Sequence, residues 1–390
     1  MVASSNHIAA RITVGMQFSE RVADLHASPI REILSVIDRP GMVSFAGGLP
    51  AAETFPTFSL TGFPPAMMQY GPSEGEPELR GRVADDLNKI GFNCSADQVL
   101  ILSGSQQGID LVAKLFIDRG TNVAVESPTY LAALQVFRFF GARFTTFDPR
   151  DPVTAWSSEN RPALVYTIPT FQNPTGRCYS TQERNALAEA CDKYQVPLFE
   201  DDPYRDLVYD TCDRTPICAR LKRASWIYQG SFSKSLAPGL RLGFLAASAD
   251  LTAHLVRLKQ AADLHSNRLS QWLVLQQLLD AHRLDRLVRL AATYRRKRDF
   301  FADALGRHLG QFATWNIPPG GLFFWLTLTR SIDTRTLLPR AIERGVAFRP
   351  GEPFYPDPGE RGASLRLNFS HADEEKSERG LAILARLLSA

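Results

Sequence analysis

Ser231-Phe-Ser-Lys234-Ser-Leu-Ala-Pro-Gly-Leu-Arg241-Leu-Gly243 places a lysine between two hydroxyl groups, an arginine seven residues further on, and glycines at the bends. A lysine that forms a Schiff base must be fixed in place and kept away from permanent carboxylate partners. A phosphate beside it calls for hydroxyls, backbone N–H groups and the planar fork of a guanidinium. This one segment supplies all of these, which points to pyridoxal 5′-phosphate (PLP) chemistry. Alone, the same pattern also reads as a basic turn.

Outward from it, short apolar runs alternate with helical stretches between about Val99 and Ser248. Val99–Leu102, Asn122–Val125, Arg143–Phe147, Ala163–Ile168, Val196–Phe199, Trp226–Tyr228 and Leu242–Ala246 read as strands. Near-continuous apolar runs of this length suit a sheet covered on both faces. Gln107–Phe116 and Thr181–Tyr194 carry helix-spaced apolar residues. The fold class expected is therefore α/β, a mostly parallel seven-stranded sheet sandwiched by helices.

After Leu264 the texture changes to long amphipathic helices, with Trp272, Leu275 and Leu279 and then Leu284, Leu287, Leu290 and Tyr294 at helical spacing. The cluster Arg295–Arg298 lies on such a helix and is expected on a solvated face, since no aromatic residue interleaves with it. Strand-like runs follow at Phe323–Leu328, Val346–Phe348 and Leu365–Phe369, the pattern of a small α+β domain. The expected division is 1–60 as an N-terminal arm and part of the small domain, 61–265 as a large PLP-binding domain, and 266–390 as the C-terminal small domain.

At 390 residues the chain can build two domains around a large core. A formal charge of +3 gives no reason to expect nucleic acid or an anionic membrane as partner. The five cysteines form no C-x-x-C pair, which favours reduced thiols over a disulfide frame. The seven histidines include no close ligand pair, so metal catalysis has no support. No run is long and apolar enough for a membrane span, and the first residues lack the pattern of a secretory signal. A cytoplasmic enzyme is the expectation.

Three further motifs carry chemistry. Ser103-Gly-Ser-Gln-Gln-Gly108 falls between a strand and a helix, where Gly104, Ser105 and Gln106 can offer N–H groups and a helix N-terminus to a phosphate; an ordinary capped turn has the same composition. Phe171-Gln-Asn173-Pro174-Thr-Gly176 follows a strand, and the Asn173 amide can donate to a phenolic oxygen, although Asn-Pro-Thr-Gly is also a common turn. Phe199-Glu-Asp201-Asp202-Pro-Tyr204 puts acids at a strand's carboxyl end, where α/β sheets bind ligands. A buried carboxylate there can keep a pyridine nitrogen protonated; a surface acid pair before a turn is the other reading.

The ordered set of phosphate loop, Asn-Pro, Asp-x-x-Tyr, Lys and Arg resembles the fold-type-I PLP enzymes of the class I/II aminotransferase family. Ser44-Phe-Ala-Gly-Gly-Leu-Pro50, Gln69-Tyr-Gly-Pro-Ser-Glu-Gly75 and Ser127-Pro-Thr-Tyr130 are similar to the subgroup of 2-aminoadipate, kynurenine and aromatic-amino-acid aminotransferases, from about Ser28 to the C-terminus. The resemblance implies that Lys234 carries PLP and that Asp201, three residues before Tyr204, meets the pyridine nitrogen. It implies that Tyr204 and Asn173 bond the ring oxygen, and that Tyr130 stacks on the ring. Gly104, Ser105, Gln106, Ser231, Ser233 and Arg241 would hold the phosphate, joined by Tyr70 from a second subunit of a homodimer. Arg366 would grip the substrate's α-carboxylate, with Gly48, Asn173 and Tyr70 beside it.

Further implications are a ping-pong reaction that moves the amino group of an L-amino acid to a 2-oxo acid, expected to be 2-oxoglutarate, with Lys234 as general base. The donor class is aromatic, 2-aminoadipate-like or branched aliphatic. Arg31, in Ser28-Pro-Ile-Arg31-Glu-Ile33, could recognise a distal carboxylate or pair with Glu32 or Asp38 at a helix surface. Thr57–Met68 is short for the subgroup and contains Pro64-Pro65, so a helix over the site entrance is expected to be truncated or unwound. The same scaffold hosts PLP-dependent lyases and decarboxylases, and effector-sensing domains of transcription regulators, which stay open at this point.

Overall fold

The computed structural model describes residues 18–23, 39, 41–153, 156–157, 161–357 and 363–389. The Arg31 reading lies outside the described residues.

Seven runs read as strands pair into one sheet: β2 (Val99–Leu102), β3 (Asn122–Val125), β4 (Arg143–Thr146), β5 (Leu164–Thr167), β6 (Leu198–Asp202), β7 (Trp226–Ser231) and β8 (Gly243–Ala247), after a short β1 (Val43–Ser44). Their order is β2-β8-β7-β6-β5-β3-β4, with β8 antiparallel to both neighbours and every other pair parallel. From β3 the chain first steps outward to β4, then returns to the other side for β5, β6 and β7. The sheet order therefore reverses between β3 and β5, and ligands bind at such a switch point, beyond the strands' carboxyl ends.

Covering helices bury both faces of β2, β5 and β6, which is why β2 and β5 read as near-continuous apolar runs, while β6 is apolar only up to Phe199 and ends in three buried acids. The helix Thr181–Tyr194 starts at a reciprocal cap, in which Ser180 Oγ accepts from the Glu183 N–H and Glu183 accepts from the Ser180 N–H at 2.9 Å. It ends where Gln195 turns left-handed, at φ 52°.

Beyond the large sheet, β9 (Ala313–Thr314), β10 (Phe323–Leu328), β12 (Arg349–Pro350) and β13 (Ser364–Asn368) form an antiparallel sheet, while β11 (Val346–Ala347) pairs in parallel with β1. The Phe45 carbonyl accepts from the Asn368 N–H at 2.8 Å, so the segment around β1 is stitched to the second sheet. Pro64-Pro65 leaves one short 3₁₀ turn, Pro65–Met68, in place of a helix. The run Arg295–Arg298 corrects a simple reading: Arg298 is buried, donating to Asp210 and to the Pro318 carbonyl, rather than lying on the solvated face.

Phe301 is fully buried with its ring edge-on to Phe45 at 5.3 Å and 5.6 Å from the ring of Phe324. It therefore joins the β1 segment to the antiparallel sheet. Phe301→Ala is expected to cost about 3–5 kcal/mol, read as a lower denaturant midpoint in equilibrium unfolding.

Candidate active site

Loops at the carboxyl edge of the large sheet enclose a cavity of about 180 Å³. At one end β2 runs into Gly104, at φ 86°, and the helix Ser105–Phe116 opens there. Its first N–H groups have no partner within the helix, which makes this end an anion cradle. A Cβ on Gly104 would overlap the Arg241 guanidinium, so glycine is required for both the turn and the close approach. Gln106 and Ser105 line this end with Ser231 and Ser233.

The other end is built on the pleat of β6. Successive side chains face opposite ways, so Asp201 enters the cavity while Asp202 turns away to accept from Tyr228 at 2.8 Å and Arg205 at 3.1 Å. Asp201 is 3% exposed and accepts from Tyr166 Oη at 3.0 Å and Gln229 Nε2 at 2.9 Å. Burial raises its pKa to about 6, against the lowering effect of those two donors. Gln229 can reach it because β7 places it directly opposite Asp201, and because Gly108 has no Cβ to block its amide.

Tyr130 and Ile168 line the walls with Tyr204 and Asn173. The Asn173–Pro174 peptide is cis. Arg366, on β13, donates through Nη1 to Asn173 Oδ1 at 2.8 Å and through Nη2 to the Ala46 carbonyl at 2.7 Å. Its guanidinium lies 4.1 Å from the Phe323 ring centre, and burial lowers its pKa to about 10. With the Asn173 carbonyl occupied, its NH₂ group is the one left for the cavity and the Tyr204 hydroxyl. Burial pushes the Tyr204 phenol well up.

Lys234 reaches the cavity from the turn after β7 and donates to the Gly48 carbonyl at 2.8 Å. Burial, then the positive charges of Arg366 and Arg241, lower its pKa to about 8. Tyr70 is not brought into the cavity of its own chain; it is 76% exposed, with its ring edge-on to His265. Four wall or support residues were not anticipated: Tyr166, Ile168, Pro203 and Gln229. Only Gln229 had a sequence signal, as a polar residue inside the apolar run of β7.

The sheet order, the covered faces and the ligand crevice at the switch point define a fold-type-I transferase. The chain belongs to the class I and II aminotransferases, whose family model matches residues 62–384. It is 38% identical over 389 residues to a 2-aminoadipate transaminase of Thermus thermophilus, covering 95% of this chain and 96% of that one. It is 34% identical to aromatic-amino-acid aminotransferase 1 of Thermococcus litoralis, over 95% and 94% of the two chains. Among solved structures, the kynurenine aminotransferase of Pyrococcus horikoshii superposes with a TM-score of 0.86 at 32% identity, over 95% and 96% of the chains. Among the described residues no helix is long and apolar enough to cross a membrane.

The depressed Lys234 pKa has a direct consequence. Labelling of Lys234 by an amine-reactive reagent requires the neutral amine, so its rate should rise with pH around a midpoint near 8 instead of the ordinary 10.5. Arg366→Leu removes a neighbouring cation and should move that midpoint upward, as mapped by peptide mass spectrometry across pH.

Proposed function

We propose that the chain is a PLP-dependent aminotransferase of the cytoplasm, acting as a homodimer, that moves the amino group of an L-amino acid to a 2-oxo acid. The observation that carries this reading is the meeting of Lys234, Asp201 and Asn173 at one cavity, with Arg366 bonded to Asn173. The residues fit the cofactor: an anion cradle where Arg241 crosses Gly104, a buried carboxylate at the other end, and a lysine with a lowered pKa between them. When bound, PLP supplies an aldehyde carbon for the amine and a ring that accepts electrons.

The chain's own groups then divide the work. Ser105, Gln106, Ser231, Ser233 and Arg241 would hold the phosphate. Asp201, with a pKa near 6, is mostly ionised at neutral pH and would accept the pyridine N–H. Asn173 and Tyr204 would donate to the ring oxygen, and Tyr130 would pack against the ring. Arg366 offers the α-carboxylate a planar fork, and Asn173 and Gly48 bound the same space. Lys234, neutral in an appreciable fraction near its pKa of about 8, takes the proton from the substrate's α-carbon. Tyr70 serves the partner's site; its exposure together with that of Met68 and Leu60 supports cover by a second copy.

For donors, the similarity to 2-aminoadipate, aromatic-amino-acid and kynurenine aminotransferases supports aromatic or 2-aminoadipate-like side chains, with branched aliphatic ones beside them and 2-oxoglutarate as acceptor. Arg31 as the reader of a distal carboxylate belongs to this proposal. The unwound Pro65–Met68 segment supports a wide entrance.

Adding single L-amino acids to the holoenzyme without 2-oxo acid should bleach the absorbance of the lysine-bound cofactor and release stoichiometric 2-oxo acid. Release of ammonia or carbon dioxide instead would replace transfer with elimination or decarboxylation. Lys234→Ala should abolish turnover, and wild-type turnover in that variant would sink the assignment. Arg366→Leu should raise the KM of every amino donor about 10- to 100-fold, the value of a lost charge-assisted contact.

A further inference from the structure

Glu126 follows directly after β3, Thr167 ends β5 and Ile168 follows it, so its carboxylate occupies the point where the sheet order reverses. It is 5% exposed, and burial raises its pKa. Oε1 accepts from the Tyr179 hydroxyl and from Thr167 Oγ1 at 3.1 Å. Oε2 accepts from the Ile168 N–H at 3.2 Å, from Gln172 Nε2 at 3.2 Å and, more weakly, from Thr129 Oγ1 at 3.5 Å. Five donors converging on one buried side chain is more than a helix cap or a strand end requires.

Those donors matter for where they sit. Ile168 lines the cavity; Thr129 precedes Tyr130, and Gln172 precedes Asn173. Gln172 is itself a bridge, donating to the Pro128 carbonyl at 2.7 Å and accepting from the Thr175 N–H at 3.0 Å, so it brackets Asn173 from both sides. The Thr129 N–H donates to the Phe354 carbonyl at 2.9 Å, and the Phe354 ring lies 5.2 Å from the Arg366 guanidinium. One carboxylate thus touches the supports of the ring face, the ring-oxygen donor and the carboxylate reader.

We propose that Glu126 is the positioning residue of this site: it sets the placement of Tyr130, Ile168 and Asn173 relative to one another without itself meeting cofactor or substrate. The proposal rests on the reading of the cavity as a PLP site. The chemistry of the five donors distinguishes two substitutions. Ile168 N–H and Gln172 Nε2 cannot reverse, so Oε2 must remain an acceptor; the hydroxyls of Thr167 and Tyr179 can turn and accept. Glutamine can therefore keep its oxygen at Oε2 and point its NH₂ at the hydroxyls. Alanine removes the shared acceptor of all five donors, leaving Gln172 only the Pro128 carbonyl and Thr167 only the Tyr179 hydroxyl.

The test uses the holoenzyme with Glu126→Ala and Glu126→Gln, read first by amide hydrogen exchange. In Glu126→Ala, peptides covering residues 127–130 and 168–175 should exchange at least about tenfold faster, with those covering 103–107 and 231–234 unchanged. The pH midpoint of the lysine-bound cofactor's absorbance should rise, because Asn173 no longer holds a donor against the ring oxygen. The KM for amino donors should rise about tenfold with a smaller fall in kcat, and Glu126→Gln should restore all three readings to within about threefold of wild type. Uniformly faster exchange with an unchanged midpoint and KM would overturn the proposal, leaving Glu126 a packing residue. Should the alanine variant not fold, Thr167→Val removes a single donor and must raise the midpoint in the same direction; no shift overturns the proposal equally. If the wild-type protein shows no lysine-bound cofactor band, the PLP reading has failed, while the exchange pattern still decides whether Glu126 fixes these walls.

Discussion

A carboxylate that is 3% exposed is held in this interior by two neutral donors, Tyr166 and Gln229. An isolated buried charge would cost far more than the folded state can supply, so the placement of those donors constrains everything around it. Tyr166 reaches Asp201 from β5 and Gln229 reaches it from β7, the strands on either side of β6. A slip of one residue in either pairing would turn a donor to the opposite face of the sheet. The constraint extends to the next layer, where Gly108 must lack a side chain for Gln229 to keep its position. The parallel register at the centre of the sheet is thus part of the site's chemistry.

The cavity is otherwise bordered by cations. Arg241 and Lys234 line it, and Arg366 lies near enough for its charge to act on Lys234; Arg366 and Lys234 donate to an amide and to backbone carbonyls, none of them charged. Such a field lowers the proton affinity of the lysine, the most easily titrated of the three, and attracts ligands that bring their own negative charge. A phosphate at the Arg241 end and a carboxylate at the Arg366 end would offset the two arginines, so burial, the largest cause of the lowered lysine pKa, would be left to keep the amine partly neutral. Permanent carboxylates in those places would fill the site and raise the pKa of Lys234. Asp201 avoids this because β6 carries it to the far end of the pocket, where its partners are a phenol and an amide.

Much of this was legible in the chain because burial on both faces leaves a plain signature. The strands β2, β3 and β5 are short runs with almost no polar interruption, and the cap Ser180-x-x-Glu183 marks a helix start without any tertiary context. Strands of two residues, such as β1, β9 and β12, have no periodicity to detect and exist only through their partners. Arg298 shows the limit of charge patterning: four basic residues in a row look solvated, yet helical geometry turns one of them inward onto Asp210. Asp201 and Asp202 are chemically identical in the sequence; the pleat separates them. Glu126 could not be recognised beforehand, since its five donors come from residues 3 to 53 positions away and follow no spacing rule.

The bond between Arg366 and Asn173 links the two ends of the argument. It joins the antiparallel sheet, which carries Arg366, to the loop following β5, which carries Asn173. By occupying the Asn173 carbonyl it fixes which way the amide faces, so that the NH₂ group is the one presented to the cavity. A carboxylate arriving at Arg366 must share or displace that contact, and the same event then bears on the donor available to a ring oxygen. On the proposed assignment of Arg366 and Asn173, substrate recognition and the electronic setting of the cofactor would not be independent. Their coupling would pass through one amide, bonded on one side to an arginine and followed back along the chain to Gln172, the neighbour that Glu126 holds.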